Sequence, residues 1–137
     1  MKHSKVLKSY LILSGLLLTF IGGAQLLFPV EMKVGSGIDI AGNISVLNDT
    51  RAANALILVL ALLTLAGDFI KRLTSTASLV SFLIFLSMGL GRVISIFLDG
   101  KPVEGLLGAT VLEFVLGITG AAIYVISQEK KQVQVSF

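Results

Sequence analysis

The chain alternates long apolar stretches with short polar ones. Apolar residues dominate the segments at about 6–30, 51–70, 76–98 and 103–127. Each segment has roughly the 20 residues that a helix needs to cross the hydrocarbon core of a bilayer. Backbone groups in that core must be satisfied within the segment, so each is expected to be helical. The pattern predicts an all-α integral membrane four-helix bundle that forms one domain, residues 1–137.

The longest polar stretch, residues 31–50, separates the first two predicted spans and is expected to lie outside the membrane. Glycines such as Gly42 favour turns within it. Two short segments that begin and end with an apolar residue, 38–40 and 44–46, flank this glycine and suggest a short β-hairpin. We therefore expect an outer loop with a small hairpin at its centre.

The first apolar segment also has features of a secretory signal. Lys2, Lys5 and Lys8 precede it, and small residues follow at 22–24. The apolar run nevertheless continues to Pro29, as expected of a helix that crosses the bilayer and stops at the far interface. We therefore predict a retained first transmembrane helix.

The composition agrees with lipid as the main surroundings of the chain. Hydrophobic residues make up 55% and charged residues 14%, whereas soluble domains carry about 25% charged residues. Four spans and their loops leave no room for a soluble catalytic domain. The chain has no cysteine and one histidine, His3 in the N-terminal tail. The absence of cysteine excludes thiolate chemistry, and a single histidine outside the spans excludes a histidine-ligated haem or zinc site inside the bundle. No metal and no other cofactor is expected.

The Lys and Arg residues lie mostly at predicted helix ends. The N-terminus, the turn at Lys71 and Arg72 and the C-terminal tail share one side of the membrane and hold most of them. The positive-inside rule makes that side cytoplasmic, with both termini inside. We therefore interpret the net charge of +3 as a signal of topology and expect no binding to nucleic acid.

Two ionisable residues fall well inside predicted spans, in the outer half of the membrane. They are Arg92 in the third span and Glu113 in the fourth. A lone charge at the bilayer centre costs on the order of 3 kcal/mol or more, so we predict that the two side chains contact each other directly or through water. Small residues at steps of four predict that both helices pack here; they are Ser87, Gly91 and Ser95, and Gly105, Ala109, Gly117 and Ala121 around Glu113.

Further polar residues lie at a similar depth in the other predicted helices. Gln25 ends the first span, while Arg51 and Asn54 begin the second; Asp99 ends the third, above Arg92. Together with Arg92 and Glu113 they could line one polar pocket that opens outward. Two interpretations of each charge stay open: Arg92 and Glu113 fix helix register or bind a ligand, and Arg51 is an interfacial arginine or a wall of the pocket.

Several short motifs resemble those of bacterial four-helix membrane proteins of unknown function, the DUF4345-like family, and more remotely the DoxX-like group. The motifs are Arg51-Ala52, Gly91-Arg92, the run from Asp99 to Pro102, and Glu113. The resemblance covers nearly the whole chain and implies a four-helix bundle in a bacterial cytoplasmic (inner) membrane. One departure is that Ala53, Asn54 and Ala55 replace the glycine pair expected after Arg51-Ala52. The family has no assigned activity, so the resemblance implies a fold and no chemistry.

The sequence supports two classes of function. The first is a structural or partner-binding membrane subunit, which binds a second copy of itself or another membrane protein. The alternative is a binding module for a lipid head group or small anionic ligand in the outward-facing pocket. An enzyme would have to use Glu113 or Asp99 as a base beside Arg51 or Arg92, and no nucleophile or metal set accompanies them. We therefore predict no catalytic residues.

Overall fold

The computed structural model describes residues 5–135, and helices occupy most of that part of the chain. The helices are α1 Lys5–Leu27, α2 Pro29–Val34, α3 Ile44–Phe69, α4 Thr74–Asp99 and α5 Glu104–Val135. Four of them, α1, α3, α4 and α5, are long and apolar enough to cross a membrane. Residues 5–135 contain no β-strand. The all-α helical bundle predicted from the sequence is confirmed, and His3 lies outside the described residues.

The segment between α1 and α3 differs from the predicted hairpin. Residues 44–46 form the first turn of α3, where the side-chain oxygen of Asn43 accepts a hydrogen bond from the amide of Val46 at 3.1 Å. This N-cap satisfies a free amide at the helix start. The helix therefore begins at Ile44, several residues before the apolar segment that starts at about residue 51. A helix can extend out of the membrane, because its backbone hydrogen bonds also form in water. The hairpin prediction is wrong.

The helices pack as two antiparallel pairs. α1 lies along α3, α4 lies along α5, and the turn at residues 70–73 brings α4 beside α3. Glycines allow the close approach within each pair. A Cβ added at Gly22 of α1 would lie 2.9 Å from the backbone nitrogen of Leu58, and one added at Gly117 of α5 would lie 2.6 Å from Leu86. Both pairs therefore pack with their backbones close together.

The core between the two pairs is apolar in the middle of the bundle. Leu18 of α1, Ala61 of α3 and Phe85 of α4 are buried and pack in one cluster. Much of the outer surface is apolar, as expected of helices that face lipid tails. The protein is therefore a multi-pass membrane protein. The few polar side chains inside its spans are surrounded mostly by apolar residues.

Candidate functional site

Arg92 and Glu113 form an ion pair that joins α4 to α5. The Nε of Arg92 donates to Oε1 and to Oε2 of Glu113, at 3.0 Å each. The Glu113 side chain is 8% exposed and the Arg92 side chain 32% exposed. The contact predicted from the depth of the two residues is confirmed. The Glu113 side chain is buried, whereas part of the Arg92 side chain reaches the surface of the bundle.

The pair lies at the depth of the hydrocarbon core. Arg92 precedes the end of α4 at Asp99 by about 10 Å along the helix axis, and Glu113 follows the start of α5 at Glu104 by about 14 Å. At 26 residues, α4 is about 39 Å long and exceeds a core of about 30 Å by about 9 Å, which is less than the distance from Arg92 to the helix end. An isolated charge at this depth would be costly, and the pairing removes most of that cost for Glu113.

The small residues of α4 do not pack against α5 as the sequence suggested. Ser87, Gly91 and Ser95 are exposed, and a Cβ added at Gly91 would meet nothing within 4 Å. The helix instead meets α5 through Leu86 and Gly89, which lie against Gly117 and Phe114. The prediction that these three residues form an internal ridge is wrong. We call Ser87, Gly91 and Ser95, with Arg92 at their edge, the α4 face.

The ridge predicted on α5 is correct only in its inner part. Glu113 and Gly117 are buried against α4, whereas Gly105 is exposed and a Cβ added there would meet nothing within 4 Å. α5 contacts α4 closely from Glu113 inward. Gly105 therefore belongs to the surface, whereas Ala109 is half-buried.

Asp99 is exposed at the end of α4, two turns beyond Arg92, and its described hydrogen bond is not to the ion pair. Its Oδ2 accepts a hydrogen bond from Ser95 Oγ at 2.9 Å, one turn earlier on the same helix. The Asp99 carboxylate therefore already has a hydrogen-bond partner, Ser95. It places a negative charge at the end of the α4 face, near the membrane interface.

Arg51 connects the other helix pair. Its Nη1 donates to the backbone carbonyl of Leu26 in the last turn of α1, where carbonyls have no partner within the helix. A cation at this position also complements the helix dipole. Arg51 is exposed, so this contact fits the interpretation of Arg51 as an interfacial arginine that holds the outer end of α1 to α3.

Asn54 and Gln25 belong to the same helix pair as Arg51. Asn54 is 6% exposed, and its Nδ2 donates to the carbonyl of Thr50 at 2.8 Å. Its Oδ1 is buried without a hydrogen-bond partner in the described part of the chain. Gln25 is half-buried near the end of α1. The buried amide oxygen of Asn54 is a potential acceptor for a water molecule.

The six residues predicted to line one pocket thus fall into two groups. Gln25, Arg51 and Asn54 lie on the α1–α3 pair, whereas Arg92, Asp99 and Glu113 lie on the α4–α5 pair. Within residues 5–135 no hydrogen bond or ion pair links the two groups. The described contacts therefore do not form one polar cluster, and ligand binding by either group stays a prediction.

Sequence reasoning missed a buried hydroxyl cluster where the two helix pairs meet. The Oγ of Ser81 in α4 lies 3.0 Å from Ser14 Oγ and 3.3 Å from the Tyr10 hydroxyl of α1. The Tyr10 hydroxyl donates to the carbonyl of Leu116 in α5 at 3.2 Å. A Cβ at Gly120 would overlap the Tyr10 hydroxyl. The spacing of four between Tyr10 and Ser14 is the one available signal, and it does not identify their partners.

A second missed pair lies near the opposite membrane surface. Lys8 Nζ is 3.9 Å from Asp68 Oδ1, and the Asp68 side chain is only 7% exposed. Both residues fall near the ends of apolar segments of the sequence, and this position could have indicated that they pair. No group of three or more His, Asp or Glu side chains that could hold a metal ion occurs within residues 5–135.

Comparison with known proteins gives a family and no more specific relative. Residues 6–124 match the family described as "Domain of unknown function (DUF4345)". Searches of curated proteins and of solved structures gave no match. Because the match covers most of the chain, including every residue of the ion pair and of the α4 face, this four-helix membrane protein belongs to the DUF4345 family.

Proposed function

We propose that this protein is a structural, partner-binding membrane subunit and that the α4 face is its contact surface. The observation that carries the proposal is the position of Arg92. Its side chain is 32% exposed at a depth where the surroundings are lipid tails. A charged group that faces lipid tails is costly, and a partner that covers it would lower that cost.

The residues around Arg92 suit the approach of a second helix. Ser87, Gly91 and Ser95 are small, exposed and spaced four residues apart on one side of α4. In membranes, such residues let helix backbones approach closely enough for van der Waals contact and interhelical hydrogen bonds. The open space at Gly91 means that nothing within the described bundle competes for this position.

The alternative function is the binding of a lipid head group or small anionic ligand. Arg92 is the natural ligand for a phosphate, but head-group phosphates lie near the end of α4, about 10 Å farther out than Arg92. Asp99 lies at that end of the helix and is exposed, so its negative charge would repel an approaching anion. The geometry therefore favours a protein partner over a phosphate at this surface.

The geometry also argues against an enzyme. Both carboxylate oxygens of Glu113 accept hydrogen bonds from Arg92. The exposed carboxylate of α4, that of Asp99, accepts a hydrogen bond from Ser95. The Ser95 hydroxyl beside Asp99 has no histidine or metal site within residues 5–135 to activate it as a nucleophile. In this proposal the protein lies in the cytoplasmic membrane of a bacterium with both termini in the cytoplasm, because most Lys and Arg residues share that side.

Cross-linking in native membranes tests the proposal. Because the chain has no cysteine, a single introduced cysteine is the one site in this protein that a thiol-reactive probe labels. A photo-reactive group attached to Gly91→Cys should give a protein adduct. The matched control is Val111→Cys, an exposed residue of α5, which should give lipid adducts only. Lipid adducts alone at both positions would contradict the proposal.

A further inference from the structure

We propose that the α4 face receives a transmembrane helix of a different protein, and that this helix carries a hydrogen-bond acceptor side chain at the depth of Arg92. The inference rests on the proposed partner-binding function and adds the chemistry of the partner. Two grounds support it. Arg92 keeps N–H donors that its contact with Glu113 does not use, and a second copy of the chain would be oriented so that it could not accept from them.

The Arg92 guanidinium has donors available after it has paired with Glu113. A guanidinium carries five N–H groups, and only the one on Nε can be used by the two contacts to the carboxylate. In the described part of the chain, Nη1 and Nη2 have no hydrogen bond. Since Nε faces the buried carboxylate and the side chain is partly exposed, we infer that N–H groups of Nη1 and Nη2 reach the α4 face. Carboxylate, carboxamide and hydroxyl oxygens are the side-chain acceptors that a partner could supply.

A second copy of the chain is a poor match for this surface. Two copies in one membrane share the same orientation, so a two-fold axis would place like residues opposite each other. Contact centred on Gly91 would then bring the two Arg92 side chains together at the same depth. Donors would face donors, and like charges would meet in surroundings of low dielectric constant, where repulsion is strong.

Lipid also fails to complement the surface, because acyl chains offer no acceptor to Nη1 and Nη2. A helix with small residues and one acceptor side chain satisfies both the shape of the α4 face and its donors. Such a partner needs the same features that stabilise helix pairs in membranes, namely small residues at the contact and a polar group that bonds across it.

The test uses the full chain with a photo-reactive group on Gly91→Cys, in the membranes of the cells that produce it. The adduct is identified by mass spectrometry, and its yield is compared with and without the double substitution Arg92→Leu, Glu113→Leu. The double variant removes the guanidinium without leaving Glu113 unpaired. We expect at least a ten-fold loss of adduct. Arg92→Lys, which keeps N–H donors, should retain part of the yield, and Lys101→Leu, outside the face, should change nothing.

The partner supplies the second arm of the test. The cross-linked segment should be a transmembrane helix of another protein with an acceptor side chain at the cross-linked depth, and its replacement by Leu should lower the yield as much. An adduct of two identical chains would overturn this inference while leaving the partner-binding function intact. Full yield from the double variant would also overturn it. Lipid adducts alone on Gly91→Cys would overturn both.

Discussion

Three charged side chains of the described helices lie close to a group of opposite charge or a backbone carbonyl. Glu113 is held by Arg92, Asp68 lies near Lys8, and Arg51 donates to the last turn of α1. The first contact was predictable, because two charges at a similar depth on consecutive helices have few other partners. The contact of Arg51 with Leu26 was not, because a backbone carbonyl leaves no mark in the sequence.

The ion pair makes an asymmetric prediction for stability. Arg92→Leu leaves the buried Glu113 carboxylate unpaired and should destabilise the protein by about 3–5 kcal/mol. Glu113→Leu should cost less, because the Arg92 side chain is less deeply buried than the Glu113 side chain. The double variant should be more stable than Arg92→Leu. Thermal unfolding in mild detergent measures all three, and losses that simply add would show that the two residues are not coupled.

At the scale of the helices, glycines set which faces pack. A Cβ at Gly67 would overlap Ala77, one at Gly120 would overlap Tyr10, and one at Gly91 would meet nothing. The sequence identified small residues at helical spacing, but it could not say which of them pack. The rotation of α4 about its axis depends on how Leu86 and Phe114 fit opposite Gly117 and Gly89, which is a property of two helices together.

This difference between glycines can be measured. Gly67→Ala and Gly120→Ala should each destabilise the protein by about 1–3 kcal/mol, because overpacked cores force neighbours to shift. Gly91→Ala should be neutral or stabilising, by up to about 1 kcal/mol, since alanine is the better helix former. Unfolding of the purified protein by a denaturing detergent gives the comparison. Equal losses at the three positions would contradict the assignment of the α4 face to the surface.

In the bundle as a whole, the two helix pairs are joined through an apolar core and a small cluster of buried hydroxyl groups. The Tyr10 hydroxyl of α1 bonds to α5 and lies beside Ser81 of α4. The four spans were predictable from hydropathy alone, because lipid requires helices of about this length. The arrangement of the spans was not, because it depends on contacts such as these between residues far apart in the sequence.

Removing this hydroxyl should weaken the junction slightly. Tyr10→Phe keeps the ring and loses the hydrogen bonds, at a cost of about 0.5–1.5 kcal/mol. Tyr124→Phe is the control, since the contact shown for Tyr124 is the packing of its ring against Phe82 at 5.5 Å between centroids. Detergent unfolding of both variants should separate them. An equal effect would show that the hydroxyl of Tyr10 has no special role.

Topology gives a further prediction for the whole chain. A cysteine in place of Ala41, in the exposed segment before α3, should react with a membrane-impermeant maleimide added outside intact cells. A cysteine in place of Gln132, near the end of α5, should react only after the cells are opened. The expectation follows from the Lys and Arg residues that accumulate on the side of α5's end. The reverse labelling would contradict the predicted orientation.

In our proposal the α4 face binds another polypeptide. The most direct measurement is the mass of the protein after extraction from its native membrane in lipid nanodiscs, by native mass spectrometry. The wild type should carry a bound polypeptide beyond its own 14.5 kDa. Gly91→Leu should lose that polypeptide while remaining folded, because the position is open in the bundle. A wild type that has only the mass of one chain and bound lipid would show that the α4 face has no polypeptide partner.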